Sequence, residues 1–407
     1  MSPAQPQIHR PVPVRVVAQA ILKDFTVGRL ELVGEAIDGA QLLHRADRGL
    51  LRESVLGSIR YQRLYDALAD AFLRGSSQPL PLRLTLRLGA HQLFGCDRIP
   101  PHAAVSESVR LLRRQPNLQR VANAVLRKLA ALRLPAARPA VGPERWLPET
   151  VLPRDPGRRY SLPDELITAL RPVVAADPAR DWADLNRVPH CCTVGAVSEE
   201  QEGILRRDGD RSWWADPKQA IEGPVAAGAA MVQDPSQARA LELAEPRAGE
   251  RFVDCCAAPG GKSRQAQALG LRVVAADRRL SKVRRLPAGG RLVQDARRPA
   301  IAPGSADLVL VDAPCSNTGV CARRPEARWR YSAKSLRSLV ALQRDLLAAA
   351  ADLVAPDGRL LYATCSLDPA ENEAVAAALA GWQITRQELH WPSDWQGGGY
   401  AAVLRRR

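Results

Sequence analysis

The chain has 407 residues, 46% of them hydrophobic and 25% charged, and 58 Lys and Arg against 43 Asp and Glu leave a net charge of +15. This length allows about two to three domains, and the charge points to a polyanionic partner, with nucleic acid foremost, although an Arg-rich proteome would give the same sign. No apolar run reaches the ~18 residues of a membrane span, the first 13 residues lack the apolar core of a secretory leader, and eight Cys with no Cys-x-x-Cys beside six His suggest neither a disulfide framework nor a zinc site.

Residues 1–13 read as an N-terminal tail and residues 14–134 as a helical domain. Val14, Val17, Ala18, Ile21 and Phe25 share one helical face, as do Ala122, Val125, Leu126 and Leu129. Leu82, Leu84, Leu86 and Leu88 alternate as in a strand, with helix-favouring neighbours, so pattern alone leaves that stretch open. Ser108 to Gly142 contains no Asp or Glu and carries Arg110, Arg113, Arg114, Arg127 and Lys128, a candidate phosphate-binding face whose plain alternative is a solvated helix surface. The Pro- and Arg-rich stretch 135–163 reads as a linker. A small α+β segment occupies 164–230, with no legible function.

From 231 to 407 strands and helices alternate. The strand-like runs are Arg251–Cys255, Arg272–Ala276, Arg291–Gln294, Ala306–Val311, Arg359–Ala363, Trp382–Thr385 and Tyr400–Leu404, and the helical ones are Ser263–Leu269, Ser335–Val354 and Asn372–Ala380. This predicts a mainly parallel sheet covered on both faces, which binds ligands at the carboxyl ends of its strands. Cys256, Asp277, Asp295, Asp312 and Cys365 all fall at or just past such ends. Ala257-Ala258-Pro259-Gly260-Gly261 lies between a strand and a helix, where glycines let backbone approach a ligand. A dinucleotide fingerprint is absent, and Gly261-Lys262-Ser263 misses the phosphate loop because Cys256 stands at its first Gly. Asp277 closes the next strand, a position suited to ribose hydroxyls. Asp312-Ala313-Pro314-Cys315-Ser316-Asn317-Thr318-Gly319 and Thr364-Cys365-Ser366 each come directly after a strand. A single Cys is usually a small buried hydrophobe, but two at strand ends beside Asp312 suggest paired thiol chemistry.

These strings resemble the RNA 5-methylcytosine methyltransferases that use S-adenosylmethionine, and among them the bacterial RsmB (Fmu/Sun) subgroup that modifies 16S rRNA. Val232-Gln233-Asp234-Pro235-Ser236, Asp254 to Ser263, Asp312 to Val320 and Thr364-Cys365-Ser366 carry the catalytic likeness. Leu88 to Leu93, Arg98 to Val105 and Asn123 to Arg127 resemble that subgroup's NusB-like RNA-binding domain. The resemblance implies an all-α NusB-like domain, a small α+β middle segment and a Rossmann-like methyltransferase domain.

By the same resemblance, Cys256, Ala257, Ala258, Pro259, Gly260, Gly261 and Lys262 line the methionine end of the cofactor. Asp277 holds the ribose, Asp295 sits by the adenine, and Asp312 contacts cofactor or base. Cys365 is the nucleophile and Cys315 helps release the product. Arg323, Arg324 and Arg328 join the candidate RNA contacts. Expected with these are a cytoplasmic monomer acting on 16S rRNA, no metal and no membrane. The same reaction on tRNA, or RNA binding by an idle methyltransferase fold, are the alternatives.

Cys255 replaces a larger apolar residue of the family, and Gly397-Gly398-Gly399-Tyr400 is poorer in aromatics than the family's segment there, which weakens RNA contacts near the C-terminus. The chemistry explains the cysteines. Carbon 5 of cytosine is a weak nucleophile until a thiolate adds to carbon 6 and makes the ring an enamine. A base must later remove the carbon 5 proton before the thiolate can leave.

Overall fold

The computed structural model describes residues 13–40, 45–75 and 77–407, so all of the expected N-terminal tail except Pro13 lies outside the described residues. The chain forms two compact units. One comprises the described residues up to Asp164 together with Arg323–Trp329, and the other comprises Glu165–Ala322 with Arg330–Arg407.

The first unit holds helices α1 (Val14–Thr26), α2 (Val33–Asp38), α3 (Arg45–Arg60), α4 (Gln62–Asp70), α5 (Leu80–Phe94), α6 (Pro101–Val109) and α7 (Pro116–Ala131). The alternating leucines lie on α5, which is apolar on opposite sides because it runs between two cores. Leu84 and Leu88, four residues apart, pack with Val14, Ile21, Val55 and Ile59. Leu82, Leu86 and Ala90 pack with Tyr65, Val125 and Leu129. A helix with two buried faces mimics the period of a strand in sequence. Between those faces Arg83 reaches Asp70 at 2.6 Å and Arg87 reaches Asp66 at 2.6 Å.

Residues 135–163 do not form the linker expected of them. Leu147 and Leu152 enter the α4–α7 core and Leu162 is fully buried. The Arg133 guanidinium stacks 3.7 Å from the Trp146 ring centroid. Arg159, on the short helix α8 (Pro156–Arg159), pairs with Glu144 at 2.8 Å and with Glu149 at 2.5 Å. The prolines set turns, and a few large apolar side chains dock those turns onto the helices.

The second unit opens with α9 (Asp164–Ala175), whose first residue is the last of the first unit. Strands β1 (Cys191–Gly195), β2 (Ile204–Asp208) and β3 (Arg211–Trp214), the turn α10 (Pro217–Ala220) and strand β4 (Ala230–Val232) come after it. Their antiparallel sheet has the order β2-β3-β1-β4. Next come α11 (Pro235–Leu243), β5 (Arg251–Asp254), α12 (Gly261–Ala268), β6 (Arg272–Asp277), α13 (Leu280–Val283), β7 (Gly290–Val293) and β8 (Ala306–Asp312). The chain then passes through α14 (Glu326–Arg330), α15 (Ala333–Ala351), β9 (Val354–Thr364), α16 (Glu373–Ala376), β10 (Trp382–His390) and β11 (Gly399–Arg406).

The larger sheet has the order β10-β11-β9-β8-β5-β6-β7. Strands β9, β8, β5, β6 and β7 run parallel, while β11 pairs antiparallel with both β9 and β10. Strand alternation sends Val309, Val311, Leu360 and Tyr362 to one face with Leu346, Leu347 and Ala350 of α15. Leu308, Leu310, Leu361 and Ala363 face the other side, with Leu241 of α11 and Ala266 of α12. This is the doubly covered sheet that alternating strands and helices predict.

Candidate active site

Parallel pairing brings the carboxyl ends of β9, β8, β5, β6 and β7 to one edge, and backbone bonds extend the ladder just past them. Ala313 N donates to Ala363 O at 2.8 Å, Cys255 N to Leu310 O at 2.9 Å, Ala257 N to Ala276 O at 2.8 Å and Gln294 N to Asp277 O at 3.2 Å. Along this edge lie Cys365 after β9, Asp312 and Cys315 at and past the end of β8, the Cys256–Lys262 loop after β5, Asp277 ending β6 and Asp295 past β7.

The two cysteines meet. Their sulfurs are 3.2 Å apart. Cys365 Sγ also donates to Asn317 Oδ1 at 3.1 Å. Asn317 takes the left-handed backbone with φ at +61° and returns its Nδ2 to Cys315 O at 2.8 Å, which fixes its amide orientation. Cys315 is buried and Cys365 is half-buried. The hydrogen bond with Cys365, then burial, then the charges of Cys365 and Glu371 push the Cys315 thiol well above the usual thiol range. Of the two sulfurs, Cys315 is therefore the one biased toward its neutral form. Burial likewise pushes the Cys255 and Cys256 thiols up, so neither competes as a thiolate.

A dense polar set supports both loops. Glu371 accepts from Ser316 N at 2.9 Å and from Ser366 Oγ at 2.6 Å, and Thr318 Oγ1 accepts from Leu367 N at 2.8 Å. Gly319 N donates to Cys365 O at 2.9 Å, and Gly398 N donates to Gly319 O at 2.8 Å. A Cβ on Gly319 would lie 2.4 Å from Gly398 O, so the glycine-rich C-terminal segment lets two backbones touch beside the reactive loop. Sequence reasoning assigned no role to Asn317, Gln343 or Glu371. The signal for Asn317 and Glu371 is a polar residue within a few positions of a strand-end cysteine, whereas Gln343, on α15, has no such local signal.

The residues after β5 fit an adenosyl cofactor. Gly260 has φ at +105°, and a Cβ there would lie 3.0 Å from Pro287, whereas a Cβ on Gly261 would meet nothing within 4 Å. The loop thus turns tightly and leaves open space over the start of α12. Asp254 beneath it is buried, takes 2.7 Å from Ser263 Oγ on Oδ2, and has no hydrogen-bond partner for Oδ1 among the described residues. Burial, reinforced by the charge of Asp312 and opposed by Ser263, raises its pKa to about 7. Lys262, itself buried, binds Asp312 Oδ2 at 2.7 Å and also Gln237 Oε1, which ties the loop to the end of β8. Asp277 accepts from Arg279 N at 3.1 Å. Asp295 pairs with Arg297 at 2.6 Å, and that bond holds its carboxyl down at about 2.

Of the candidate RNA contacts, Arg110, Arg113, Arg114, Arg127 and Lys128 are exposed on the helical unit, Arg110 being paired with Glu107 at 2.8 Å. Arg324 is exposed and Arg323 half-buried. Arg328 departs from its expected role. It is 0% exposed, and its Nη1 donates to Arg60 O at 3.3 Å and Ser161 O at 3.3 Å, so it serves packing and not RNA. Beside it Trp329 Nε1 donates to Ile59 O at 3.1 Å. Among the described residues no group of three or more His, Cys, Asp or Glu could hold a metal ion, and no helix is long and apolar enough to cross a membrane.

Comparison with known proteins places both units. A model of the NusB family matches residues 15–131, and a model of the family described as 16S rRNA methyltransferase RsmB/F matches residues 241–391. A putative methyltransferase of Mycobacterium tuberculosis is 35% identical over 82% of this chain and 79% of its own length. The ribosomal RNA small subunit methyltransferase B of Vibrio cholerae is 30% identical over 82% of this chain and 81% of its own. The crystal structure of PH0851 shares the fold, with a TM-score of 0.70, 22% identity and coverage of 97% of this chain and 99% of that one.

Proposed function

The chain belongs to the RsmB/F family of 16S rRNA methyltransferases, and we propose that it methylates carbon 5 of a cytosine in 16S rRNA through a covalent bond between Cys365 and the base. It is an RNA methyltransferase, and its methyl donor is S-adenosylmethionine. The observation that carries the finer reading is the pair of strand-end sulfurs 3.2 Å apart, one buried and biased toward its neutral form, the other within reach of solvent.

Bound at the edge, S-adenosylmethionine supplies an electrophilic methyl group. The Cys256–Lys262 loop would hold its methionine end, the Asp277 carboxylate would take the ribose hydroxyls and Asp295 would lie by the adenine. Lys262 links this loop to Asp312, so that carboxylate would stand between cofactor and base.

Cys365 adds to carbon 6 of the target base, which makes carbon 5 the nucleophile. Cys315, neutral and in hydrogen-bond range, donates to the Cys365 sulfur whenever that sulfur carries charge, before attack and again on departure. At release the carbon 5 proton passes to a base, its electron pair restores the ring double bond, and the carbon–sulfur bond breaks to return Cys365 as a thiolate. Without the Cys315 donor the leaving thiolate is poorer and the adduct persists. An unpaired base presents carbon 6 at the lowest unstacking cost, and Arg110, Arg113, Arg114, Arg127, Lys128, Arg323 and Arg324 offer phosphate contacts.

Incubation of the protein with labelled S-adenosylmethionine and separated 16S rRNA and tRNA pools tests this reading. Label recovered as 5-methylcytosine in 16S rRNA supports it. Label confined to tRNA, or on another base or atom, contradicts it.

A further inference from the structure

We propose that Glu371 positions and differentiates the two cysteines: its buried carboxylate fastens the Cys315 loop to the Cys365 loop, and its negative charge beside Cys315 reserves that sulfur as the proton-holding partner. The inference rests on the reading of Cys365 as nucleophile, and it is carried by the hydrogen-bond geometry of one side chain.

Glu371 lies between β9 and α16 and is 0% exposed. Its Oε1 accepts from Ser316 N at 2.9 Å and from Gln343 Nε2 at 2.9 Å. Its Oε2 accepts from Ser366 Oγ at 2.6 Å and from Ser316 Oγ. Ser316 is the residue directly after Cys315, and Ser366 the residue directly after Cys365. A single carboxylate therefore holds the residue next to each sulfur.

The neighbours strengthen the clamp. Gln343 also donates to Pro314 O at 2.9 Å, just before Cys315. Tyr362 Oη donates to the Glu371 carbonyl at 2.6 Å. Asn372, the next residue, accepts from Thr364 Oγ1 at 2.6 Å and donates to Ser366 O at 3.0 Å, bracketing Cys365 from both sides.

The residue type matters. Only a carboxylate offers two oxygens to four donors. A glutamine would turn an amide donor toward two of them. All four donors are neutral, so the charge of Glu371 is solvated by the loops and not cancelled by an ion pair. The titratable groups around Cys315 include Cys365, Glu371 and Tyr362, and of these Cys365 and Glu371 both favour its neutral form. The sulfur beside Glu371 keeps its proton, which leaves the half-buried sulfur to attack.

The first arm of the test uses the full chain without RNA or cofactor, so that arm does not depend on methyl transfer; a second arm measures methylation by the same variants. Alkylation of Cys315 and Cys365 by iodoacetamide is monitored against pH by peptide mass spectrometry, for the parent, Glu371→Gln, Ser316→Ala and Ser366→Ala. Access to a sulfur scales the rate at every pH, whereas a change in local charge moves the profile along the pH axis. In Glu371→Gln the Cys315 profile is expected to move lower by about one unit, so that its rate at pH 9 rises about 10-fold. Its single-turnover methylation is expected to fall about 100-fold with KM for RNA unchanged, as for a misplaced reacting group. Ser316→Ala and Ser366→Ala lower turnover in the same manner by a smaller factor, and they decide the matter if Glu371→Gln does not fold. An unmoved Cys315 profile in folded Glu371→Gln, or full turnover in both serine variants, overturns the proposal. Full turnover by Cys365→Ala would instead overturn the reading on which it rests.

Discussion

On the β5–β7 half of the strand-end edge, each acid is held by a neighbour in sequence. Asp277 takes one backbone N–H from Arg279, and Asp295 takes Arg297. Gly261 faces open space. On the β8–β9 half, Cys315, Ser316, Asn317, Ser366, Gln343 and Glu371 are cross-linked between loops about fifty residues apart in sequence, as Ser316 and Glu371 are at a separation of 55. A cofactor that enters and leaves each cycle is suited by acceptors whose present partners are local and able to yield to it. Sulfurs that must meet one carbon of a base need fixed positions, and a dense buried hydrogen-bond network supplies them.

If the halves divide the work in this way, substitutions on the dense half should stop chemistry and spare cofactor affinity. Cys365→Ala is expected to lower methyl transfer by about ten thousand-fold or more, with the Kd for S-adenosylmethionine unchanged by calorimetry. Loss of cofactor binding in that variant would erase the division. Cys315→Ala should accumulate a covalent protein–RNA species that survives a denaturing gel, and normal multiple turnover with no such species would remove Cys315 from release.

On the open half the effect should be one of binding. Asp277→Ala is expected to raise the cofactor Kd about 10- to 100-fold, the loss of one or two hydrogen bonds to a charged group, while the rate at saturating cofactor is kept. A fall in that rate at unchanged Kd would reverse the assignment.

The smallest effect concerns Asp254, which lies beneath the junction. Its folded pKa of about 7 exceeds the ordinary carboxyl value of 3.8, so between those values the folded state binds more protons than the unfolded one. Its contribution to stability therefore falls as pH rises from about 4 to 7 and is constant above. Asp254→Asn should remove that decline. Thermal melts of parent and variant at pH 5 and pH 8 check it, and identical pH dependence in the two would refute the buried-acid account.

Much of this edge was legible because parallel strands make a simple promise: a residue just past the end of a strand arrives at the ligand. Cys365, Cys315, Asp312 and the 256–262 loop each stand at or just after the end of an apolar run, and local pattern sufficed to put them at the strand-end edge. The parts that escaped depended on distance. Nothing beside Glu371 in the sequence says that Ser316 lies above it. The alternating leucines of α5 read as strand-like because two cores share one helix. The stretch 135–163 has the composition of a linker, yet Leu147, Leu152 and Leu162 bury it. Arg328 stands among the candidate RNA contacts through its likeness to the family's basic segment, whereas here three backbone carbonyls surround its guanidinium. The antiparallel turn of β10 and β11 at the sheet's end was likewise invisible to an alternation pattern that fits either direction.

The most direct test of the central claim traps the bond itself. A 16S rRNA substrate carrying 5-fluorocytidine allows attack and methyl transfer but leaves no proton on carbon 5 to remove, so the base cannot be released. With S-adenosylmethionine present, the parent protein is predicted to form a stable one-to-one adduct whose modified peptide contains Cys365 joined to a methylated fluorocytidine. Methylation of ordinary 16S rRNA with no adduct on the fluorinated one, or an adduct mapped to Cys315, would contradict the account.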